Sequence, residues 1–134
     1  MSDSVELTRT TVGTREVGLT DAITDDAVMM INIFEVPVPE SDQFLYRWKD
    51  NVGVMAQQPG FVRARMYKAL ADDARFRFVN VVHWASGEAL AQARQNPEWR
   101  AAVQRMMDDG LTVKANPMVY ETALDVAPGD RPQR

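Results

Sequence analysis

Residues Arg75 to Trp84 read R-F-R-F-V-N-V-V-H-W, and the rest of the chain can be read outward from them. The stretch alternates with period two, as a half-buried strand does. Phe76, Phe78, Asn80, Val82 and Trp84 fall on one face; Arg75, Arg77, Val79, Val81 and His83 fall on the other. The first face is apolar except for one amide. A buried amide without a partner costs about 1–3 kcal/mol, so Asn80 has to find hydrogen bonds from protein, water or ligand. Trp84, two pleats further along the same face, adds an indole N–H. Asn80 and Trp84 are the most suggestive pair in the chain.

Immediately upstream, Phe61 to Leu70 alternates as well. Phe61, Arg63, Arg65, Tyr67 and Ala69 are expected on one side, and Val62, Ala64, Met66 and Lys68 on the other. Ala71-Asp72-Asp73-Ala74 reads as a short turn, so the two strands form an antiparallel hairpin. Further upstream, Val28 to Val36 (V-M-M-I-N-I-F-E-V) is a buried strand interrupted by Asn32, and Pro37 and Pro39 end it. Ser41 is an expected N-cap. Ser41 to Gln58 follows as a helix with the stripe Phe44, Leu45, Trp48, Val52 and Met55, stopped by Pro59-Gly60.

Downstream, Ser86 caps a short Ala-rich helix over Ala89 to Gln95, and Asn96-Pro97 starts another. That second piece carries Trp99, Ala102, Val103, Met106 and Met107 and closes at Asp108-Asp109-Gly110. Met118 to Val126 is the expected last strand. The order is β-α-β-β-α-β, a ferredoxin-like α+β fold. Both helices on one face leave the other sheet face bare, with Val79 and Val81 on it. A two-fold homodimer through that face is expected. Residues 1–26 read as a mobile or partner-wrapping arm, 27–126 as the folded domain, and 127–134 as a polar tail.

The 134 residues suit one domain, and 46% hydrophobic with 25% charged residues is ordinary globular composition. A net charge of −4 argues against nucleic acid as a partner. No apolar run is long enough to span a bilayer, and the N-terminus, with Asp3 and Glu6, does not read as a signal peptide. A cytoplasmic location is expected. The absence of cysteine excludes thiolate chemistry, and one histidine, His83, cannot build a multi-histidine metal site. No dinucleotide or P-loop signature occurs.

F-V-N-V-V-H-W-A-S-G-E-A-L at 78–90, N-P-E-W-R-A-A-V at 96–103 and Q-Q-P-G-F-V at 57–62 resemble the antibiotic biosynthesis monooxygenase family over about residues 27–126. The resemblance implies a dimeric α+β barrel with a pocket between sheet and helices in each subunit. One branch of that family oxidises anthrones or hydroquinones to quinones in aromatic polyketide pathways, without a cofactor. It carries an Asn-x-x-x-Trp pair on its third strand, matched by Asn80 and Trp84. Its histidine near the second hairpin strand falls near Lys68 here, and its second-helix tyrosine at Leu90. A second branch degrades haem with a first-strand Asn, matched by Asn32, and a third-strand Trp, matched by Trp84. Its axial histidine falls at Val103, and His83 points to the opposite sheet face from Trp84.

The resemblance therefore implies an oxygenase with no cofactor and no metal, acting on an electron-rich phenolic or anthrone-like aromatic with O2 and yielding a quinone. Asn80, Trp84 and Asn32 are the expected catalytic residues. Phe34, Trp48, Met66, Phe78, Leu90, Trp99 and Val103 are the expected substrate-binding residues. Core packing is the competing role for Trp48, Trp99 and the methionines, and an interface role for Tyr67 and His83. The rival functions are a cyclase-like catalyst, a small-molecule-binding protein on the same scaffold, and a haem-degrading enzyme.

Overall fold

The structure is a computed structural model that describes residues 26–131; all but the last residue of the expected arm over 1–26 lies outside the described residues. The elements are β1 (Val28–Glu35), a 3-10 turn (Val38–Glu40), α1 (Ser41–Met55), β2 (Phe61–Lys68), β3 (Phe78–Trp84), α2 (Gly87–Ala93), α3 (Pro97–Asp108) and β4 (Lys114–Tyr120). They form one antiparallel sheet in the order β2-β3-β1-β4, with the helices packed on one face. This is the ferredoxin-like α+β arrangement.

Register decides which residues meet the helices. β1 and β3 pair Val28 with Trp84, Met30 with Val82, Asn32 with Asn80 and Phe34 with Phe78. Period two puts all eight on the helix-facing side, and Phe78, Asn80, Val82 and Trp84 are each buried. The opposite face carries Ile31, Ile33, Val79, Val81 and His83, all half-buried, with Arg63, Arg65 and Tyr67 of β2 exposed beside them.

The apolar core is in two parts. One gathers Val28, Met30, Met55, Val82, Trp84, Leu90, Ala93 and Trp99. The other gathers Phe34, Val36, Phe44 and Phe78. Phe44 stands 4.9 Å from Phe34, edge to face, and 5.0 Å from Phe78, centroid to centroid. The row Asn32–Asn80 falls between the two clusters along the strands.

Several local expectations are corrected. The alternation of β3 does not extend back to Arg75, because the strand begins at Phe78. Phe76 is 41% exposed under the Arg75 guanidinium, whereas Arg77 is buried. Arg77 Nε donates to Ser41 Oγ at 3.1 Å and Nη1 to the Ala71 carbonyl at 3.5 Å, so the arginine holds the β2–β3 connection against α1. Its ion-pair partner is Asp72, at 3.7 Å, while Arg75 reaches Glu35 at 3.4 Å. The connection runs from Ala69 to Arg77, longer than a four-residue turn. Ser41 is not the N-cap of α1, because the 3-10 turn extends the helical backbone upstream and its hydroxyl turns to Arg77. α1 ends at Met55 rather than Gln58, and α2 runs over Gly87–Ala93.

In β2 a register shift between Phe61 and Arg63 moves Phe61 to the helix side, beside Ala64 and Met66. A bulge of this kind reverses the face of every residue on one side of it. The last strand is Lys114–Tyr120 rather than Met118–Val126, and residues 121–131 are exposed non-strand chain. Pro117 lies within β4, tolerated because β4 is an edge strand.

Ser86 and Asn96 are N-caps as expected, Ser86 accepting from Ala89 N at 3.0 Å and Asn96 from Glu98 N at 2.7 Å. Gly60 is required twice over. Its φ of +88° favours glycine, and a Cβ there would stand 2.4 Å from the Ala89 Cβ. Its carbonyl accepts from Ala85 N at 2.8 Å, joining the start of β2 to the entry of α2.

The two long helices are joined by charge. Arg47 grips Asp109, at the end of α3, through two 2.8 Å hydrogen bonds, and Gln43 donates to the same carboxylate. An anion at a helix C-terminus opposes the helix dipole, and Arg47 offsets that. The Arg47 hydrogen bond, then that from Gln43, holds the Asp109 carboxyl below the usual carboxylate range. Arg105 reaches Asp50 at 3.1 Å.

Candidate functional site

Three buried side-chain polar atoms among the described residues have no hydrogen-bond partner: Asn80 Oδ1, Trp84 Nε1 and Asn51 Oδ1. Buried polar groups are almost always paired, so each such atom needs an explanation, a ligand among them. Two of the three sit on the helix-facing side of β3, where the sequence pattern put them. The third sits on α1.

The Trp84 ring is 1% exposed and clamped on two sides. It stacks on Trp99 at 5.9 Å with 19° between planes and meets Phe61 edge-on at 5.7 Å. Those contacts fix where the indole N–H points, and fixed donors cost no reorganisation when a charge develops before them. Asn80 is 3% exposed and occupies the break between the two apolar clusters. Its unpartnered atom is the carbonyl oxygen, an acceptor. A carboxamide turned by 180° keeps its shape and exchanges oxygen for NH2. Asn80 can therefore accept from a hydroxyl or donate to an oxyanion.

Asn32 is differently placed. Its Oδ1 accepts from Asn116 N at 2.9 Å, while Asn116 Nδ2 donates to the Ile33 carbonyl at 2.9 Å. These bonds flank Pro117, which has no N–H for the ladder. Asn32 thus ties the edge strand to the sheet and has only its amide nitrogen left for a ligand.

The expected substrate-binding residues divide between the clusters. Leu90 and Trp99 are buried around Trp84, with Val103 packed against them. Phe34 and Phe78 are buried with Phe44, and Met66 packs against that group. Trp48 is half-buried on α1. The two groups wall the Asn80 row from its two ends. His83 is on the far sheet face, paired in register with Met29 and Arg63. Among the described residues no cluster of three His, Cys, Asp or Glu side chains could hold a metal ion, and no helix is long and apolar enough to cross a membrane.

Asn51 was not anticipated. It is buried on the sheet-facing side of α1 with Phe44 and Met55. The spacing 44, 51, 55 is a helical i, i+7, i+11 pattern, so the stripe itself carries the signal, with Asn51 buried and the expected Val52 only half-buried.

Residues 27–105 match the family model described as antibiotic biosynthesis monooxygenase. No curated protein matches the sequence. Among solved structures, the chain is similar to a candidate monooxygenase of Shewanella loihica PV-4, with 26% identity and a TM-score of 0.61 over 75% of this chain and 97% of that one. It is similar in fold to SnoaB, a cofactor-independent oxygenase of Streptomyces nogalater, with 24% identity and a TM-score of 0.64 over 77% of this chain and 98% of that one. A mutant of MhuD with two manganese protoporphyrin IX molecules bound per active site shares 25% identity, with a TM-score of 0.59 over 75% of this chain and 98% of that one.

Proposed function

The chain belongs to the antibiotic biosynthesis monooxygenase family, and from that premise we propose that it is a cofactor-independent monooxygenase converting an electron-rich phenolic or anthrone-like aromatic to a quinone with O2. The observation that carries this reading is the pair of unpartnered buried atoms, Asn80 Oδ1 and Trp84 Nε1, on one strand face lined by aromatic and aliphatic side chains. Their Cα atoms are four residues apart, about 13 Å along a strand. That span suits a fused-ring aromatic better than a single small ring.

The chemistry needs little from the protein. A phenol or anthrone that has lost a proton passes an electron to O2. The resulting radical and superoxide combine to a peroxide at the ring carbon, and loss of water leaves the carbonyl. One CH2 and one O2 become one C=O and one H2O. The walls exclude water, while the Trp84 N–H and the Asn80 carboxamide stabilise the developing oxyanion and peroxide. Asn32, on the paired position of β1, contributes its amide nitrogen.

The donor set does not fit haem. The position matching the axial ligand is Val103, and the chain's single histidine, His83, lies on the opposite sheet face. Titration with haemin is expected to give no saturable Soret shift. The half-buried face of Ile31, Ile33, Val79 and Val81 supports a homodimer formed sheet to sheet.

Oxygen uptake with a panel of anthrones and naphthols tests the function. Quinone formation matched one to one by O2 consumption is expected. Conversion without O2 uptake would put the chain with the cyclase-like catalysts, and binding without conversion with the binding proteins.

A further inference from the structure

Helix α1 faces the sheet with an amide at Asn51, 9% exposed, whose Oδ1 has no hydrogen-bond partner. Its height above the sheet strands follows from its neighbours. Seven residues earlier, Phe44 packs with Phe34 and Phe78; four residues later, Met55 packs with Val82 and Trp84. At about 1.5 Å per residue, Asn51 stands about 10 Å from Phe44 and about 6 Å from Met55 along the helix. On β3, measured from Phe78 in the same direction, Asn80 lies at about 7 Å and Val82 at about 13 Å. The helix and the strand share the same cluster at each end, so Asn51 comes opposite the stretch from Asn80 to Val82.

Two carboxamides thus approach the gap between the apolar clusters, one from the sheet and one from the helix. Each has a buried carbonyl oxygen without a donor. We propose that Asn51 is a substrate-binding residue, closing the site from the helix side and accepting a hydrogen bond from a hydroxyl on the substrate. The inference rests on the proposed aromatic-oxidising function and adds to it a requirement on the ligand. With Asn51 and Asn80 each presenting an acceptor and Trp84 a donor, the complementary ligand is an aromatic with hydroxyl groups at one edge and an acceptor oxygen towards Trp84. An O-methylated ligand has no proton for Asn51 and leaves its oxygen unpaired, which is how a buried polar group discriminates between ligands.

The test is anaerobic binding, read by quenching of tryptophan fluorescence, with dihydroxynaphthalenes and their O-methyl ethers, beside thermal melts. Asn51→Leu removes the unpartnered acceptor and keeps a filled helix face. Asn51→Ala is measured in parallel, so that the result does not hang on one side chain fitting. The wild type is expected to prefer the hydroxylated ligand. Either variant should weaken that ligand about five- to tenfold, the loss of one neutral hydrogen bond, and change the methyl ether less than twofold. Melting of Asn51→Leu should be unchanged or raised, since the Oδ1 it removes has no partner, and Asn51→Ala should melt lower than Asn51→Leu by the cost of a small cavity. Equal weakening of both ligands, or unchanged preference in both variants while Asn80→Ala abolishes it, overturns the role of Asn51 and leaves the oxygenase reading standing. Failure of the wild type to bind any panel member overturns both.

Discussion

Replacing Asn80 with alanine separates catalysis from stability, because the two effects differ in size. In the folded state the Asn80 carbonyl is buried without a partner, and its removal relieves a penalty of about 1–3 kcal/mol. Against that, truncating a 3% exposed side chain leaves a small cavity, costing about 1–2 kcal/mol. The terms oppose, so net stability should change by about 1 kcal/mol in either direction, or roughly 3–5 °C in a domain of this size. Loss of a fixed polar group from an oxyanion-type site lowers turnover by about 10²–10³, equivalent to about 2.7–4 kcal/mol. Trp84→Phe should also lower turnover, but with a visible cost in melting, because it alters the ring stacked on Trp99. The assay is O2 consumption with the anthrone and naphthol panel, beside thermal melts. Both variants folding normally with turnover intact would refute the site. A fall of more than about 10 °C for Asn80→Ala would show instead that the amide supports the fold.

Gly60→Ala should lower stability by about 2–4 kcal/mol, combining the cost of a left-handed backbone with the clash at the Ala89 Cβ. The double variant with Ala89→Gly should recover the clash but not the backbone cost, which a melting cycle over the three proteins measures. Because Asp109 is held below its ordinary range chiefly by Arg47, the pair contributes stability above the unfolded carboxylate pKa and loses it as pH falls through the folded one. Arg47→Met should therefore melt lower than the wild type at neutral pH, and the gap should close on acidification below the usual carboxylate range. Val81→Glu, on the half-buried outer face, should shift the protein from dimer to monomer in light scattering without loss of helical circular dichroism. A wild type that is already monomeric at micromolar concentration would remove the dimer.

The fold was readable because its signals are local. Period two over Phe78–Trp84 and the 3.6 period over Ser41–Met55 and Pro97–Asp108 need only neighbours in sequence to be recognised, as do the caps Ser86 and Asn96. Failures came where a partner distant in sequence changed a local preference. Phe76 and Arg77 exchanged places because Ser41, 36 residues away, offers Arg77 a buried acceptor. Phe61 crossed to the helix side because β2 shifts register against β3. The last strand starts at Lys114, ahead of Pro117, because β1 lies beside it and holds Asn116 through Asn32 Oδ1 and the Ile33 carbonyl.

The same division holds for the site. Sequence alone determined that Asn80 and Trp84 share a face, since a strand's pleat permits no other arrangement, and that neither cysteine nor a histidine cluster takes part. Tertiary structure decided which of the polar groups are unengaged. Asn32 and Asn80 look equivalent as lone amides on apolar strands, yet Asn32 finds a donor for its oxygen in Asn116 N of β4, while Asn80 sits in register with Met66 of β2 and finds none there. Asn51 became a candidate only once α1 was docked, with Phe44 and Met55 in separate clusters and an amide left between them. Whether a buried polar atom is satisfied depends on atoms from other elements, and no period along the chain encodes that.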